Sequence, residues 1–402
     1  MQLASSTILS AVFFILSGYL SVHYFKVQES ASFIKLLIIY VFLSTIFITM
    51  KGLFQGYRKM LLLSSTEFTK NLIVLLFIIL FIKLGYGVLS PVLAYVLVFP
   101  VLFMLYFPAA LKIFNILKYK TIGHAAMSKK LLLFAAPVLA TGMGNKIIGY
   151  LDTFVLTYFR DLSEVGIYNI ILPSALIFLF FGTAIASILF PLTSELWAKK
   201  DTKRLAEGLR LLYRYAFFFT IPFLFTIIIF SRVIISFFFG KEYVDGTIAL
   251  QILLVGTLFS VVGTINYNFL SGIGNPQVVT KITLLAALAN AILNIILIPH
   301  YGMNGAALTT AASYLLMLIV STAKVRDYIA VKLPIREWTG LLFATFCFAV
   351  VAIAVKDFLG LAPWLEIAIS FLSSTTIYFI VSYLLRIIDI EELRYYIRLA
   401  LR

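Results

Sequence analysis

Long apolar stretches separated by short polar segments follow one another along the whole chain. A helix that crosses a bilayer needs about 20 predominantly apolar residues, with a range of about 17–25. The pattern therefore predicts an all-α polytopic membrane protein with about 12 transmembrane helices. The predicted spans are 5–25, 32–50, 60–83, 87–106, 131–159, 165–194, 211–238, 246–271, 276–298, 303–323, 338–356 and 364–385. Two of them, 131–159 and 165–194, are longer than a bilayer requires, so we expect them to tilt, kink or protrude.

The composition supports a membrane protein. Hydrophobic residues make up 62% of the chain and charged residues 12%, whereas about a quarter of an average soluble domain is charged. The net charge of +15 would fit a nucleic-acid-binding protein, but most Lys and Arg residues fall in alternate loops. Cytoplasmic loops of membrane proteins carry such an excess of positive charge. The distribution argues against a nucleic-acid partner and predicts that both termini are cytoplasmic.

The sequence contains no recognisable enzyme motif. HExxH, P-loop and GxSxG patterns are absent, and the predicted outer loops are too short to display a set of catalytic groups. The chain has a single cysteine, Cys347, which excludes an intramolecular disulfide and a multi-cysteine metal site within it. We therefore predict no catalytic residue, no cofactor and no metal site.

Charged and polar residues inside span 131–159 are the first candidates for a functional site. Lys146 and Asp152 lie within the span, and Asn145 precedes Lys146. A charge near the bilayer centre costs about 2.5–3.5 kcal/mol on insertion scales, so it usually faces a cavity or a partner. By helical spacing, Asn145 and Asp152 share one face, whereas Lys146 and Tyr150 share another. Lys146 either lines a cationic cavity for an anionic substrate or pairs with a nearby carbonyl or carboxylate and fixes packing.

A second polar group lies near the start of span 60–83. Glu67 is followed by Lys70 and Asn71 at helical spacings of three and four, so the three side chains share a face. This group is either a local ion pair or part of the wall of a cavity. Both interpretations remain open from the sequence.

Asparagines in the later spans suggest contacts between helices. Asn266 lies in span 246–271, and Asn290 and Asn294 are four residues apart in span 276–298. Amide side chains commonly form hydrogen bonds between membrane helices. We expect these three residues to do so.

A weak internal repeat is visible. The pair Tyr86-Gly87, just after span 60–83, recurs as Tyr301-Gly302 after span 276–298. Many transporters are built from two similar lobes around a central site. The repeat predicts two pseudo-symmetric lobes around a central cavity.

Three longer runs resemble the polysaccharide-exporting branch of the multidrug/oligosaccharidyl-lipid/polysaccharide (MOP) superfamily, that is, Wzx-like oligosaccharide flippases. They are FAAPVLATGMGNKIIGYLDTFVLTYF at 134–159, EVGIYNIILPSALIFLFFGTAIASILFPLTSEL at 164–196 and NAILNIILIPHYGMNGAALTTAASYLL at 290–316. The positions typical of the family are Asp152, Gly166, Tyr168, Asn169, Pro191, Asn290, Pro299, Gly302 and Gly305. The similarity extends over nearly the whole chain.

The resemblance implies a flippase in the cell (cytoplasmic) membrane. Such a protein would move a polyprenyl-pyrophosphate-linked oligosaccharide to the outer leaflet for polysaccharide biosynthesis, by alternating access between two lobes. Its partners would be the lipid-linked oligosaccharide, membrane lipids, a coupling ion such as H+ or Na+, and polysaccharide assembly enzymes. A multidrug antiporter or a lipid-linked peptidoglycan precursor flippase of the same superfamily remains an alternative. A membrane glycan polymerase or ligase is a more distant one.

The same resemblance predicts the domain organisation. Only four spans precede span 131–159, two fewer than the family has, so we expect the first two helices of the family to be missing. The predicted segments are a truncated amino-terminal lobe at 1–106, a basic cytoplasmic linker at 107–130, a carboxy-terminal lobe of six spans at 131–323, and two additional spans with a basic cytoplasmic tail at 324–402.

Overall fold

The fold is that of a computed structural model, which describes residues 2–28, 30–57, 59–114, 143, 146–359 and 363–387. In this part of the chain the regular structure is entirely helical, without strands. The predicted all-α fold is confirmed.

The α-helices are numbered in chain order. They are α1 (Gln2–Tyr19), α2 (Ser30–Gly56), α3 (Met60–Lys83), α4 (Leu89–Ile113), α5 (146–159), α6 (Leu162–Leu176), α7 (Leu179–Ala198), α8 (Thr202–Phe238), α9 (Thr247–Gly272), α10 (Pro276–Arg326), α11 (Ile335–Leu359) and α12 (Pro363–Leu384). A π-helical turn, Leu20–Tyr24, extends α1, and a 3-10 helix, Lys241–Gly246, precedes α9.

Ten helical stretches of the described residues are long and apolar enough to cross a membrane. Many of their large apolar side chains face outward; Leu61, for example, is 86% exposed and Met104 79%. Such surfaces would be unfavourable in water, but they suit lipid because its acyl chains are as apolar as the side chains. The protein is therefore a multi-pass membrane protein.

Helix α10 accounts for two of the predicted spans. Its 51 residues would extend about 76 Å at 1.5 Å per residue, more than twice the hydrocarbon thickness of about 30 Å. Gly302 interrupts the helix with φ 53° and ψ −133°, a conformation open essentially to glycine alone. The predicted separation of 276–298 from 303–323 is thus confirmed, with the break at Gly302.

The predicted span 165–194 is divided into α6 and α7. At the break the Phe178 N–H bonds to the Ala175 carbonyl, and the Phe180 N–H bonds to the Ile177 carbonyl, in tighter i to i−3 turns. The expectation that this long span bends is confirmed.

Two predicted boundaries need correction or stay partly open. Residues 107–130 were assigned to a linker, but α4 continues through Ile113 because the apolar run continues beyond residue 106. The other residues of that segment, apart from Phe114, lie outside the described part of the chain. The predicted span 131–159 is described only at residue 143 and in 146–159, which form α5.

The chain divides into two compact units, Met1–Ala136 and Pro137–Arg402. In the first unit, α2, α3 and α4 pack around an aromatic-rich core that includes Phe47, Phe54 and Phe99. These rings are nearly completely buried. Packed aromatic side chains stabilise the contact between these helices. The same contact places the charged side chains of α2 and α3 next to each other.

In the second unit, α9 is the central helix and packs against α6, α7, α8 and α10. Small residues permit close approach: a Cβ on Gly256 would lie 2.7 Å from the Ala311 backbone on α10. Membrane helices generally approach most closely at such small residues. Helices α11 and α12 pack on α8 through buried Phe218, Phe348 and Tyr378.

Candidate functional site

A charged cluster lies between α2 and α3 in the first unit. The Glu67 carboxylate accepts hydrogen bonds from Lys51 of α2 and from Lys70 of α3, the latter at 2.8 Å. All three side chains are only partly buried. Two ammonium groups share one carboxylate, so the cluster carries a net positive charge.

The structure contains the ion pair of Glu67 and Lys70, one of the two interpretations that the sequence leaves open, and adds Lys51 as a second cation. The sequence pattern assigned Lys51 to a loop after span 32–50, whereas α2 continues to Gly56. Lys51 therefore lies inside the helix and reaches Glu67 across the α2–α3 contact. Asn71, the third predicted residue, is exposed on the next turn of α3.

Asp152 of α5 is the most deeply buried charged side chain among the predicted site residues, with 0% exposure. Its Oδ2 accepts a 2.5 Å hydrogen bond from the Tyr168 hydroxyl of α6 and a 3.3 Å bond from the Thr310 hydroxyl of α10. Its Oδ1 accepts from the Thr153 N–H at 2.9 Å. Three hydrogen bonds thus compensate the loss of water around this buried carboxyl group.

More polar side chains continue this buried group along α10. Thr309, next to Thr310, donates to the Asn294 side-chain oxygen. The Asn294 amide then donates to the Asn290 side-chain oxygen at 3.0 Å. All of these side chains are 1% exposed or less. These residues form a second buried hydrogen-bonded group, which begins at the residue next to Thr310.

Sequence reasoning found only part of this group. Asp152 was a predicted site residue, and Asn290 and Asn294 were expected to bond between helices, as Asn294 does with Thr309. Tyr168 was recognised only as a typical family position, and Thr309 and Thr310 were missed. The available signal was the pair of threonines within the apolar run 303–323.

Lys146 lies on the same helix as Asp152 but in a different environment. Its side chain is exposed, and its Nζ lies 4.8 Å from the centre of the Tyr150 ring, a cation–π contact. Among the described residues, no carboxylate forms an ion pair with it. The predicted shared face of Lys146 and Tyr150 is confirmed, while the pairing with a carboxylate is not seen there. Asn145 lies outside the described residues.

A cavity of about 330 Å³ adjoins α5 within the second unit. Gly149 of α5 lines it, and so do Tyr267 of α9 and Tyr314 of α10. Gly149 is three residues after Lys146, so the two positions lie near one another on the helix. The hydroxyl groups of Ser260 and Thr264 add polar atoms to a mostly apolar wall.

A further charged pair, Arg160 and Glu164, binds the backbone on both sides of the break in α10. Arg160 donates to the Pro299 carbonyl at 2.9 Å, near the end of the first half of that helix. Glu164 accepts from the Met303 N–H at 2.7 Å, at the start of the second half. A cation at a helix C-terminus and an anion at an N-terminus both match the helix dipole. The pair therefore caps both ends created by Gly302.

No group of three or more His, Cys, Asp or Glu side chains that could hold a metal ion occurs in the described part of the chain. The candidate residues fall into two sets instead. One is the net-positive cluster of the first unit, and the other is the α5 pair formed by exposed Lys146 and buried Asp152.

Comparison with known proteins finds two family models and several relatives that resemble this chain. The family model of polysaccharide biosynthesis proteins matches residues 1–197, and the MatE family model matches residues 137–296. An uncharacterized membrane protein of Methanocaldococcus jannaschii is 31% identical over 323 residues, which cover 79% of this chain and 64% of that protein. The probable low-salt glycan biosynthesis flippase Agl15 of Haloferax volcanii is 23% identical over 251 residues, 62% of this chain and 53% of that protein.

The fold agrees with the sequence matches. This chain superposes on the solved structure of the lipid II flippase MurJ in its inward closed conformation, with a TM-score of 0.75 and 19% sequence identity. The aligned residues cover 95% of this chain and 82% of the MurJ chain. The two family models and the shared fold support the resemblance to MOP-superfamily flippases that the sequence shows. The chain spans less than two thirds of the length of both relatives described above.

Proposed function

We propose that the chain is a flippase that translocates a lipid-linked oligosaccharide across the cytoplasmic membrane for polysaccharide biosynthesis. The observation that carries this proposal is the match of residues 1–197 to polysaccharide biosynthesis proteins. The relative Agl15, named a glycan biosynthesis flippase, supports it. The fold shared with MurJ agrees with a transport function. Translocation of an intact lipid breaks no covalent bond, so the proposal requires no catalytic residue or cofactor.

Lys146 is the proposed contact for the anionic part of the substrate. A polyprenyl-pyrophosphate head group is large, polar and negatively charged. The exposed ammonium group of Lys146 has no described carboxylate partner and is available to bind a phosphate oxygen. Attraction between the two charges is stronger in a partly dry cavity than in bulk water. Asn145 and Asp152 would help to position the substrate or couple its movement.

The cluster of the first unit suits the same substrate chemistry. Lys51 and Lys70 outnumber the single carboxylate of Glu67, so an incoming anion meets net positive charge. Glu67 keeps the two ammonium groups close together in the absence of substrate. Asn71, exposed one turn further along α3, offers an amide to sugar hydroxyls.

Asp152 is the proposed site of the coupling ion. Buried ionisable residues in membrane helices commonly mark ion pathways and proton relays. The hydroxyl oxygens of Tyr168 and Thr310 lie within hydrogen-bond distance of the Asp152 carboxylate. This set of hard oxygen ligands would accept Na+, and the carboxylate would accept H+. The surrounding residues thus fit either ion.

The proposed location is the cytoplasmic membrane, with both termini in the cytoplasm. This orientation rests on the concentration of Lys and Arg in one set of loops. Enzymes of polysaccharide assembly would supply the lipid-linked oligosaccharide on the cytoplasmic side and use it on the other.

The test is reconstitution of the full chain in liposomes containing a fluorescent polyprenyl-pyrophosphate oligosaccharide. A membrane-impermeant quencher reports the fraction of the label that crosses the bilayer, and protein-free liposomes are the control. We expect translocation to depend on the protein and to be inhibited by unlabelled lipid-linked oligosaccharide. Absence of protein-dependent translocation under both sodium and proton gradients would contradict the proposal.

The MatE match over residues 137–296 favours multidrug transport as a second candidate. The same liposomes distinguish it, because a multidrug antiporter would move an organic cation such as ethidium in exchange for an ion. A third arm with labelled lipid II examines the peptidoglycan precursor alternative. Cation transport without oligosaccharide transport would replace the flippase proposal.

A further inference from the structure

A groove at the end of α8 holds two cations that the transport proposal does not use. It has a volume of about 740 Å³ and is lined by Arg232 near the end of α8 and by Lys241 of the following 3-10 helix. Asp245 is the one carboxylate among the lining residues. The groove lies entirely within the second unit.

The position of Arg232 is unusual for a charged residue. It lies six residues before Phe238, the last residue of α8, which is about 9 Å along the helix axis. The side chain is exposed on a membrane-spanning helix, and no described carboxylate forms an ion pair with it. A charged side chain on a membrane-spanning helix is costly unless it reaches water or an anion near the interface.

The surroundings of the groove are apolar and aromatic. Phe237, which lines it, is 59% exposed, and the adjacent Phe238 is 69% exposed. Exposed apolar rings are more favourable against acyl chains than in water. Lys241, exposed just beyond them, likewise has no ion-pair partner among the described residues. Two cations therefore lie next to exposed apolar rings at the end of a membrane-spanning helix.

We propose that this groove binds the phosphate head group of a membrane lipid, with Arg232 and Lys241 holding the phosphate oxygens. The exposed phenylalanines contact the upper part of the acyl or prenyl chain. A guanidinium group can give a phosphate two parallel hydrogen bonds, and the ammonium adds a point charge. The location of Arg232 on a membrane-spanning helix and the neighbouring exposed phenylalanine rings favour a lipid over free phosphate. Asp245 limits the affinity by repelling the same anion.

The experiment measures binding to the purified full-length protein in a neutral detergent. The probe is dioctanoyl phosphatidic acid, and the comparison ligands are dioctanoyl phosphatidylcholine and inorganic phosphate. Binding to the folded state raises the thermal unfolding midpoint as ligand concentration increases, which yields a dissociation constant.

The variants are Arg232→Gln, Lys241→Gln, the double variant and Asp245→Asn. Lys83→Gln is the matched control, because Lys83 is an exposed lysine at the end of another membrane helix and does not line the groove.

We expect each single Gln variant to weaken phosphatidic acid binding about fivefold and the double variant about 30-fold, since a Lys or Arg near an anionic lipid surface contributes about 1 kcal/mol. Asp245→Asn should strengthen binding, and Lys83→Gln should leave it unchanged. If Arg232→Gln fails to fold, the other two variants still test the proposal, because Lys241→Gln should weaken phosphatidic acid binding and Asp245→Asn should strengthen it. Unchanged binding in the Lys241 and Asp245 variants would overturn the proposal. Equal affinity for phosphatidylcholine, or equal stabilisation by inorganic phosphate, would overturn it as well.

Discussion

Lys146 and Asp152 lie six residues apart on α5 and have opposite surroundings. Asp152 is enclosed by hydroxyl and backbone donors, whereas Lys146 is exposed and contacts the ring of Tyr150. At the level of single residues, the charge that could meet a substrate is therefore the lysine. The carboxylate is placed to hold an ion or to hold the helices together.

Lys146→Ala should leave the protein folded and inserted but reduce glycan export about tenfold to a hundredfold. The reason is the loss of a charge-assisted contact, which contributes about 1.5–3 kcal/mol. Lys146→Arg should retain part of the activity because it keeps the positive charge. Export is measured by complementation of a flippase-deficient cell, with membrane levels determined by immunoblot.

Lys281→Ala serves as the control for that measurement, because Lys281 is an exposed lysine on α10 outside the candidate sites. It should export as well as the parent chain. If Lys146→Ala also does so at normal membrane levels, Lys146 has a packing role and no substrate role.

Asp152→Asn should uncouple transport from the ion gradient. The amide is similar in size, but it carries no charge to attract Na+ and binds no proton at neutral pH. Translocation into liposomes is compared with and without a sodium gradient, and separately with and without a proton gradient. The parent chain should respond to one of the two gradients, and the variant to neither. A variant that keeps the response of the parent would exclude Asp152 as the ion site.

At the scale of elements, the apolar pattern predicts the bounds of several helices but not the ion pair between α2 and α3. The predicted span 60–83 coincides with α3, Met60–Lys83. The predicted span 32–50 ends six residues before α2 does, because a lysine at position 51 is typical of a loop. The structure places Lys51 inside α2, since Glu67 on the neighbouring helix compensates its charge.

Gly302→Ala should destabilise the protein through the break in α10. The residue has positive φ, and a Cβ there would lie 1.9 Å from the Glu164 carboxylate oxygen. We expect a cost of about 1–3 kcal/mol from backbone strain, besides the loss of the Glu164 cap. The thermal unfolding midpoint in detergent is the measurement, and it should fall by several degrees.

Gly166→Ala provides the comparison, because Gly166 lies within α6 and a Cβ there meets nothing within 4 Å. An alanine within a helix is normally favourable, by roughly 0.5–1 kcal/mol relative to glycine. Its midpoint should therefore stay the same or rise. Equal midpoints for both variants would show that the break tolerates ordinary residues.

At the scale of the whole molecule, the two units share a local feature at the repeated Tyr-Gly pair. Gly87 and Gly302, the second residues of the repeated Tyr-Gly pair, both have positive φ, at 49° and 53°. Two equivalent sequence positions thus have a similar backbone rotation. The pseudo-symmetry of complete lobes, the central cavity and the segment boundaries at 1–106, 131–323 and 324–402 remain predictions.

The proposed orientation predicts the accessibility of single cysteines in intact cells. In a Cys347→Ser background, Leu162→Cys and Tyr243→Cys should react with a membrane-impermeant maleimide added outside. Lys203→Cys should react only after the membrane is permeabilised, because it lies in the basic set of loops. Labelling of Lys203→Cys in intact cells would reverse the topology.

The sequence by itself determined the membrane-spanning character of this protein, most of its helices and the proximity of Glu67 and Lys70 on one helix face. These features are local: the bilayer demands runs of about 20 apolar residues, and residues three or four apart on a helix are neighbours. Only the tertiary structure decided which side chains surround Asp152, because Tyr168 and Thr310 reach it from other helices. It also decided that Glu164 caps the helix at Met303. Partners so far apart in the chain are selected by helix packing, which no local pattern encodes.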